Sequence, residues 1–420
     1  MGIDCGRYSP DVYRRIVYAG TKHPSFGQGS EALAELAGLA VSEKQVERIT
    51  KRMGLERVAE RDRDVAAYLA LPLIEKVASP IEHPVDLAVV EMDGGRLQIL
   101  DRRGTVAESS EAEAESEPDE SERSGHWRED KIGVVMTMTS PVSTEDPCPE
   151  IPEHFVDPTR ILKLVREIKS GVVIPARDES EPGGSASQPD GAPEPEWIPR
   201  PEVRATVATR GPAKPFKAIL AQAAWAMGFA MAKRKAFVAD GAEVNWTTQK
   251  QWFSDYTGIL DFIHALSYIF AAAMAGRPFR DGWPVYTTWI QRIWSGEAEL
   301  VITALQARQQ ELGEPTEDAA ATDPRQVVAT TLGYLENHKE RMRYDAYRRD
   351  GLPMTSCHVE STVKLYNRRV KGTEKFWSEE GAEAILQLRS DFLSETEPLN
   401  GFWERRQAEA TGRRNYRRTG

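Results

Sequence analysis

The chain has 420 residues, 40% hydrophobic and 28% charged, with a formal net charge of −11. That length predicts two or three domains with at least one sizeable core, and the three scattered cysteines (Cys5, Cys148, Cys357), with no CxxC pair, exclude a zinc module or a disulfide framework. The acidic balance would exclude a nucleic-acid partner only if charge were evenly spread, and it is not: Ala107 to Glu122 is almost all acid and small residues, while Arg405, Arg406, Arg413, Arg414, Arg417 and Arg418 make the C-terminal end basic.

No secretory signal pattern opens the chain, and the longest apolar stretch, Ile259 to Met274, contains Asp261, His264 and Ser267 and is too short to span a bilayer. A soluble cytoplasmic protein without a membrane partner is expected. Residues 1–75 read as helices: Pro10 to Ala19, then Ser30 to Leu39 after the Gly27-Gln28-Gly29 break, then a helix capped by Ser42. The last carries Val46, Ile49 and Met53 on one side and Lys44, Arg48, Lys51 and Arg52 on the other. A short helix, a Gly turn and a basic helix is the helix-turn-helix pattern, which makes those four cations candidate DNA contacts. Many helical hairpins share the pattern without binding DNA.

The region 80–282 changes period. Pro84 to Glu91 is a strand that delivers Asp93 to a Gly94-Gly95 turn, and Arg96 to Leu100 returns as its hairpin partner. The acidic loop 105–126 follows, then a strand from Lys131 to Met138, a helix from Thr159 to Lys169 and a flexible Pro/Gly-rich loop, 177–201. Phe216 to Ala232 is helical, Lys235 to Ala239 a strand ending at Asp240-Gly241, Thr257 to Phe262 another strand, and His264 to Met274 a helix. Residues 283–347, with Trp283, Trp289 and Trp294, are wholly helical. In 348–403, Ser356 caps a helix with Val359, Val363, Tyr366 and Val370 on its apolar face, and Ser378 to Leu393 forms the next. Residues 404–420 are a basic tail.

Three acids hold special positions: Asp93 and Asp240 at strand ends before glycine, and Glu360 in the first turn of a helix. Three carboxylates converging from two strands and a helix can hold two Mg²⁺ ions ~3.5–4 Å apart. The plainer reading makes each a turn or cap residue. Lys364, Arg368, Arg369 and Lys371 behind Glu360 suit a polyanion beside such a site; alternatively they are a solvated face with a Glu360–Lys364 pair.

The segments VVEMDGG (Val89 to Gly95), FVADGAEVNW (Phe237 to Trp246), ILDFIHAL (Ile259 to Leu266) and the long stretch Gly351 to Arg389, GLPMTSCHVESTVKLYNRRVKGTEKFWSEEGAEAILQLR, carry a resemblance. In order and spacing they resemble the DDE transposases of bacterial insertion sequences, in the Kra-type group distantly related to Mutator-like enzymes, over about residues 10 to 403. The resemblance implies an α/β fold: an RNase H-like core with a mixed five-stranded sheet flanked by helices, an all-α insertion and the helix-turn-helix-like N-terminal region. It implies that Asp93, Asp240 and Glu360 are the catalytic and metal-binding triad for two Mg²⁺ ions, with Mn²⁺ as a substitute. It also implies double-stranded DNA as partner, at element ends and target, a homo-oligomer on paired ends, and a place on the bacterial nucleoid.

Asp261 and His264 fall in the family's D-x-x-H segment, with an accessory role near the DNA ends or simply a hydrogen-bonded core histidine. Relatives often carry paired cysteines upstream of the start, where only Cys5 remains, so a shortened end-binding module is expected. Two alternatives stay open: a truncated or domesticated DNA-binding protein without catalysis, and an RNase H-like nuclease without strand transfer.

Overall fold

The computed structural model describes residues 8–78, 80–81, 85–99, 127–168, 195–372 and 375–410. The acidic loop, the Pro/Gly segment up to residue 194, Cys5 and the basic tail beyond residue 410 lie outside the described residues.

Helices α1 (Pro10–Lys22), α2 (Phe26–Ala37) and α3 (Glu43–Ala70) open the chain, followed by the short α4 (Leu73–Lys76). Ser9 and Ser25 cap the first two by accepting the N–H groups of Val12 and Gln28. Gly38 ends α2 at φ 61°, a left-handed conformation that glycine reaches without strain. The Gly27–Gly29 break is absent. Both glycines lie inside α2, and Gly29 allows close approach to α1: a Cβ there would come within 2.9 Å of the Ala19 carbonyl oxygen.

The sheet begins with β1 (Leu87–Ile99) and β2 (Trp127–Thr139), antiparallel and paired from Leu87↔Met138 to Gln98↔Trp127. The expected hairpin at Gly94-Gly95 is therefore corrected: β1 runs straight through both glycines. Gly95 faces the Asp130 carboxyl, which would sit only 2.7 Å from a Cβ at that position. The signal marks close approach, not a turn. After α5 (Pro158–Ile168) comes β3 (Arg200–Thr209), a strand the sequence reading missed. Its alternating Val203, Ala205 and Val207 follow a Pro/Glu-rich lead, and Pro201 is tolerated because β3 lies on the edge of the sheet.

Helix α6 (Ala213–Ala226), β4 (Arg234–Ala239), α7 (Glu243–Trp252), β5 (Thr257–Leu260) and α8 (Phe262–Met274) complete the alternating region. A helical stretch follows: α9 (Phe279–Trp294), α10 (Ala298–Leu312), α11 (Pro324–His338) and α12 (Tyr344–Arg349). The chain closes with α13 (Cys357–Val370), the two-residue β6 (Phe376–Trp377), α14 (Glu379–Leu393) and α15 (Pro398–Ala408).

The fold is mixed α/β. Among the described residues its sheet has six strands, in the order β3-β2-β1-β4-β5, with β6 joining β1. β1, β2 and β3 are antiparallel neighbours, whereas β4 and β5 run parallel to β1. Helix α6 covers one face, its Leu220 and Phe216 resting on Gly133. Helices α13 and α14 cover the other, where the Tyr366 hydroxyl meets those of Thr206 and Ser390. The central strands are covered on both faces, which explains their near-continuous apolar runs: Leu87 to Val90 and Ala236 to Ala239 are each 0% exposed. Each large aliphatic side chain buried this way contributes roughly 1.5–3 kcal/mol.

A second apolar cluster joins α1 and α3 to α14 and α15 through Ile16, Val17, Met53, Leu388 and Phe402. Gly54 permits a close α3–α14 crossing, and the buried Arg57–Asp391 pair at 3.0 Å spans it. Among the described residues, no helix is long and apolar enough to cross a membrane.

Candidate metal centre

Parallel pairing sets Glu91 level with Val238, and Ala239 level with Leu260. Followed past the ladder in the same direction, that register puts Asp93 level with Asp240, and Asp240 level with Asp261. The three carboxylates thus form a row at the carboxyl end of adjacent parallel strands, where α/β sheets commonly place functional groups. Asp93 is not a strand end, because β1 continues along β2, but it is the place where β4 leaves β1.

Each acid is held locally. Asp93 Oδ1 accepts the N–H of Gly94 at 2.7 Å. Asp240 Oδ1 accepts the N–H of Ala242 at 2.9 Å and Nδ2 of Asn245 at 2.7 Å. Asp261 is fully buried. Its Oδ1 accepts the His264 N–H at 2.9 Å, which caps α8, and its Oδ2 accepts both the Ser356 N–H and the Ser356 hydroxyl, the latter at 2.6 Å. Ser356 does precede α13, but its hydroxyl points to Asp261 instead of capping the helix.

Glu360 lies in the first turn of α13, half-buried. Among the described residues, one group of donor atoms lies within 4.8 Å of one another: Asp261, His264 and Glu360. Asp93 and Asp240 stand outside that group but within its electrostatic reach. Burial pushes the Asp93 carboxyl up, and Asp240 and Asp261 add to the rise. Burial likewise raises Glu360, with Asp261 and Asp93 contributing. Burial works to lower His264, but the adjoining Asp261 carboxylate, with Asp240 and Glu360, pushes it up to about 9. For Asp261 the cost of burial is outweighed by its bonds to His264 and Ser356, and its pKa falls.

The arrangement is a knot of mutually repelling carboxylates relieved in part by one imidazolium. Oxygen donors of this kind fit a hard divalent cation. We assign Asp261 to fixing the fold more than to ligation, because both of its oxygens already accept bonds from Ser356 and His264. Among the described residues, no hydrogen bond reaches the second carboxyl oxygen of Asp93 or Asp240, or either oxygen of Glu360.

Two contributors were not anticipated. Gly241 follows Asp240, and a Cβ there would come within 2.2 Å of the Tyr334 ring. Tyr334, from α11, stacks on Tyr268 at 3.8 Å, so the helical stretch walls the site beside Asp240. Nothing in local pattern marks Tyr334, since only tertiary packing brings it there. The other is Glu91, an acid in an otherwise apolar run whose Oε2 accepts the Val359 N–H at 2.7 Å. Its sequence signal was its position, a charge where every neighbour reads as core.

The candidate DNA contacts divide. Lys364 and Arg368 are exposed on α13 and Lys371 just past its end, and Lys44, Arg48 and Arg52 are exposed on one side of α3. Lys51 is engaged inward, paired with Glu47 and over the Trp377 ring at 5.8 Å. Arg369, expected on the DNA face, is a correction. It is 3% exposed, donates to the Gly20 carbonyl at 3.0 and 3.1 Å and to that of Pro24 at 3.4 Å, and lies over the Phe26 ring at 4.4 Å. Helical spacing gave it the same polar label as Arg368, but it faces α1 and α2 and ties them to α13. No protein-family profile matches the chain, and no curated protein matches it either.

Proposed function

We propose that this protein is a Mg²⁺-dependent DNA transposase of the DDE type, built on an RNase H-like catalytic core. It would cut phosphodiester bonds at the ends of its element and join the freed 3′-hydroxyl to target DNA. The observation that carries the reading is the placement of Asp93 on β1 and Asp240 just past the end of the parallel neighbour β4, with Glu360 on the helix that packs against β1. An antiparallel trio of strands followed by two strands parallel to the first is also what such a core requires.

Asp93, Asp240 and Glu360 would hold two divalent ions, Mg²⁺ or Mn²⁺. Bound there, the ions supply an activated water or 3′-hydroxyl and a stabilised leaving oxygen. Asp261 fixes the start of α13 through Ser356, and His264 offsets part of the negative charge. Lys364, Arg368 and Lys371 would contact phosphates of double-stranded DNA, with Lys44, Arg48 and Arg52 forming a second contact on α3. The enzyme would act as a homo-oligomer on paired ends at a bacterial nucleoid.

The test is a strand-transfer assay with Mg²⁺ or Mn²⁺ on the terminal repeats flanking the gene. Cleavage and joining are expected, with Glu360→Gln losing both by about 10³-fold or more while DNA affinity is kept. DNA binding without cleavage by the parent protein would overturn the reading, and nicking without joining would replace it with a hydrolytic nuclease.

A further inference from the structure

Glu91 has no part in the chemistry proposed above, yet it lies at the centre of the site's scaffold. It is 0% exposed, and its neighbours Ala88, Val89, Val90 and Met92 are all buried. An ionisable side chain in such a place is costly unless its oxygens are hydrogen-bonded. Oε2 accepts the Val359 N–H at 2.7 Å, while Oε1 has no hydrogen-bond partner among the described residues. A methionine would fill the same space without leaving an oxygen unpaired.

The value of the acid lies in what its one bond connects. Glu91 precedes Asp93 by two residues on the same face of β1, because strand side chains alternate. Val359 immediately precedes Glu360. One side chain therefore links the strand that carries the first carboxylate to the helical turn that carries the third. Asp261 makes a corresponding link from the end of β5 to Ser356, one turn earlier. Apolar packing alone resists separation of α13 from β1 but gives little resistance to sliding. A directional bond to one amide fixes the register.

We propose that Glu91 is a positioning residue: by accepting the Val359 N–H it fixes the first turn of α13 on β1 so that Glu360 stands with Asp93. The proposal rests on the reading of Asp93, Asp240 and Glu360 as the carboxylates that hold divalent ions.

The test measures Mn²⁺ binding to the full chain by the electron paramagnetic resonance of the free ion, so no terminal repeat is needed. Glu91→Gln keeps an acceptor for Val359. Glu91→Met removes it, and Glu91→Asp keeps the charge but falls short of the amide. Glu91→Gln is expected to bind Mn²⁺ within about 3-fold of the parent, whereas Glu91→Met and Glu91→Asp should bind about 10-fold or more weakly, the range seen when outer-shell support of a metal ligand is lost. Affinity for nonspecific duplex at fixed salt should stay the same in all three.

If Glu91→Met does not fold, Glu91→Asp against Glu91→Gln decides. Parent-like Mn²⁺ binding by Glu91→Asp, in a protein where Asp93→Asn and Glu360→Gln abolish binding, would overturn the positioning role and leave the metal reading standing. Weakening of Glu91→Gln as large as that of Glu91→Asp would also overturn it, since keeping an acceptor for the Val359 N–H would then make no difference. A parent protein that binds no Mn²⁺ sensitive to Asp93→Asn would overturn both.

Discussion

The two ends of α13 solve the same electrostatic problem in opposite ways. At its start the free amides meet buried acids, Glu91 at Val359 and Asp261 at Ser356. Towards its close the carbonyls meet cations and an indole: Arg389 donates to Leu365 O at 2.7 Å, Lys375 to Arg368 O and Arg369 O at 3.3 and 3.2 Å, and Trp377 Nε1 to Val370 O at 2.9 Å. Both follow the helix dipole. The difference lies in what remains over. The acidic end leaves Glu360 and Asp93 crowded with like charge and open to a cation. The basic end turns Arg369 inward to hold the fold and leaves Arg368, its neighbour, outside. A charge's role is thus set by whether its partners in the fold already satisfy it.

The largest effect should come from the inward cation. Removing Arg369 strips two carbonyls of their donors and leaves a hole between the Phe26 and Trp377 rings. Arg369→Ala should destabilise the protein by about 4 kcal/mol, combining unpaired buried acceptors with lost packing. Urea unfolding measures it, and a loss under about 1 kcal/mol would mean that this end of α13 is not anchored on α1 and α2.

Next comes an acid placed near the basic end. Asp130 is 0% exposed, neither carboxyl oxygen is hydrogen-bonded to another residue among the described residues, and Lys371 is among its charged neighbours. Burial pushes its pKa up to about 6, with Glu129 adding to the rise and its own backbone amide, Lys371 and Lys131 opposing it. A raised pKa means that the folded state holds the proton more tightly. The stabilisation is full below the ordinary value of 3.8 and is lost as pH rises through about 6. Asp130→Asn cannot ionise, so it should match the parent near pH 4 and exceed it by up to about 3 kcal/mol at pH 8. Equilibrium unfolding at several pH values would show a difference that grows between those limits; a flat difference would place Asp130 among partners that accept its charge.

These two residues also mark where sequence reading runs out. The strands carrying the acid row were legible because buried parallel strands read as short apolar runs, and α13 because its apolar residues recur at helical spacing. Asp240 and Glu360 were legible as a strand-end residue before glycine and a first-turn acid. Gly94-Gly95 misled, since a glycine pair signals either a turn or a close approach and only Asp130 across the ladder decides between them. β3 was hidden by the Pro and Glu around its start. Arg368 and Arg369 carry the same charge one residue apart, and the rotation of about 100° between them is assigned to inside or outside only by what α1 and α2 bring. Glu91 and Tyr334 have roles made wholly of long-range contacts.

A smaller effect is expected at the acidic end. Ser356→Ala removes the hydroxyl bond to Asp261 while leaving the amide bond in place. Asp261 then loses one of the donors that keep its buried charge tolerable. A loss of about 1–2 kcal/mol should follow, again by urea unfolding, together with weaker Mn²⁺ binding if the start of α13 shifts. A thermodynamically silent Ser356→Ala would mean that the amide alone secures the turn.

The smallest effect on stability should come from the outward cations, and that is what makes them informative. Lys364 and Arg368 are exposed one helical turn apart. Replacing either with alanine should change stability by no more than about 0.5 kcal/mol, as for surface positions free of special features. If they contact phosphates, the same replacements should weaken duplex binding about equally for all sequences. The slope of log affinity against log salt should fall by about one for each residue removed, since each contact releases about one counterion. Arg369→Ala, compared at a temperature where it remains folded, should leave that slope unchanged because its guanidinium faces carbonyls. Neighbouring arginines that differ in both measurements, one by several kcal/mol of stability and the other by one unit of salt slope, would make the division between the inward and outward faces quantitative. Equal slopes for the parent and Arg368→Ala would remove this face of α13 from the DNA path and shift that role to Lys44, Arg48 and Arg52 on α3.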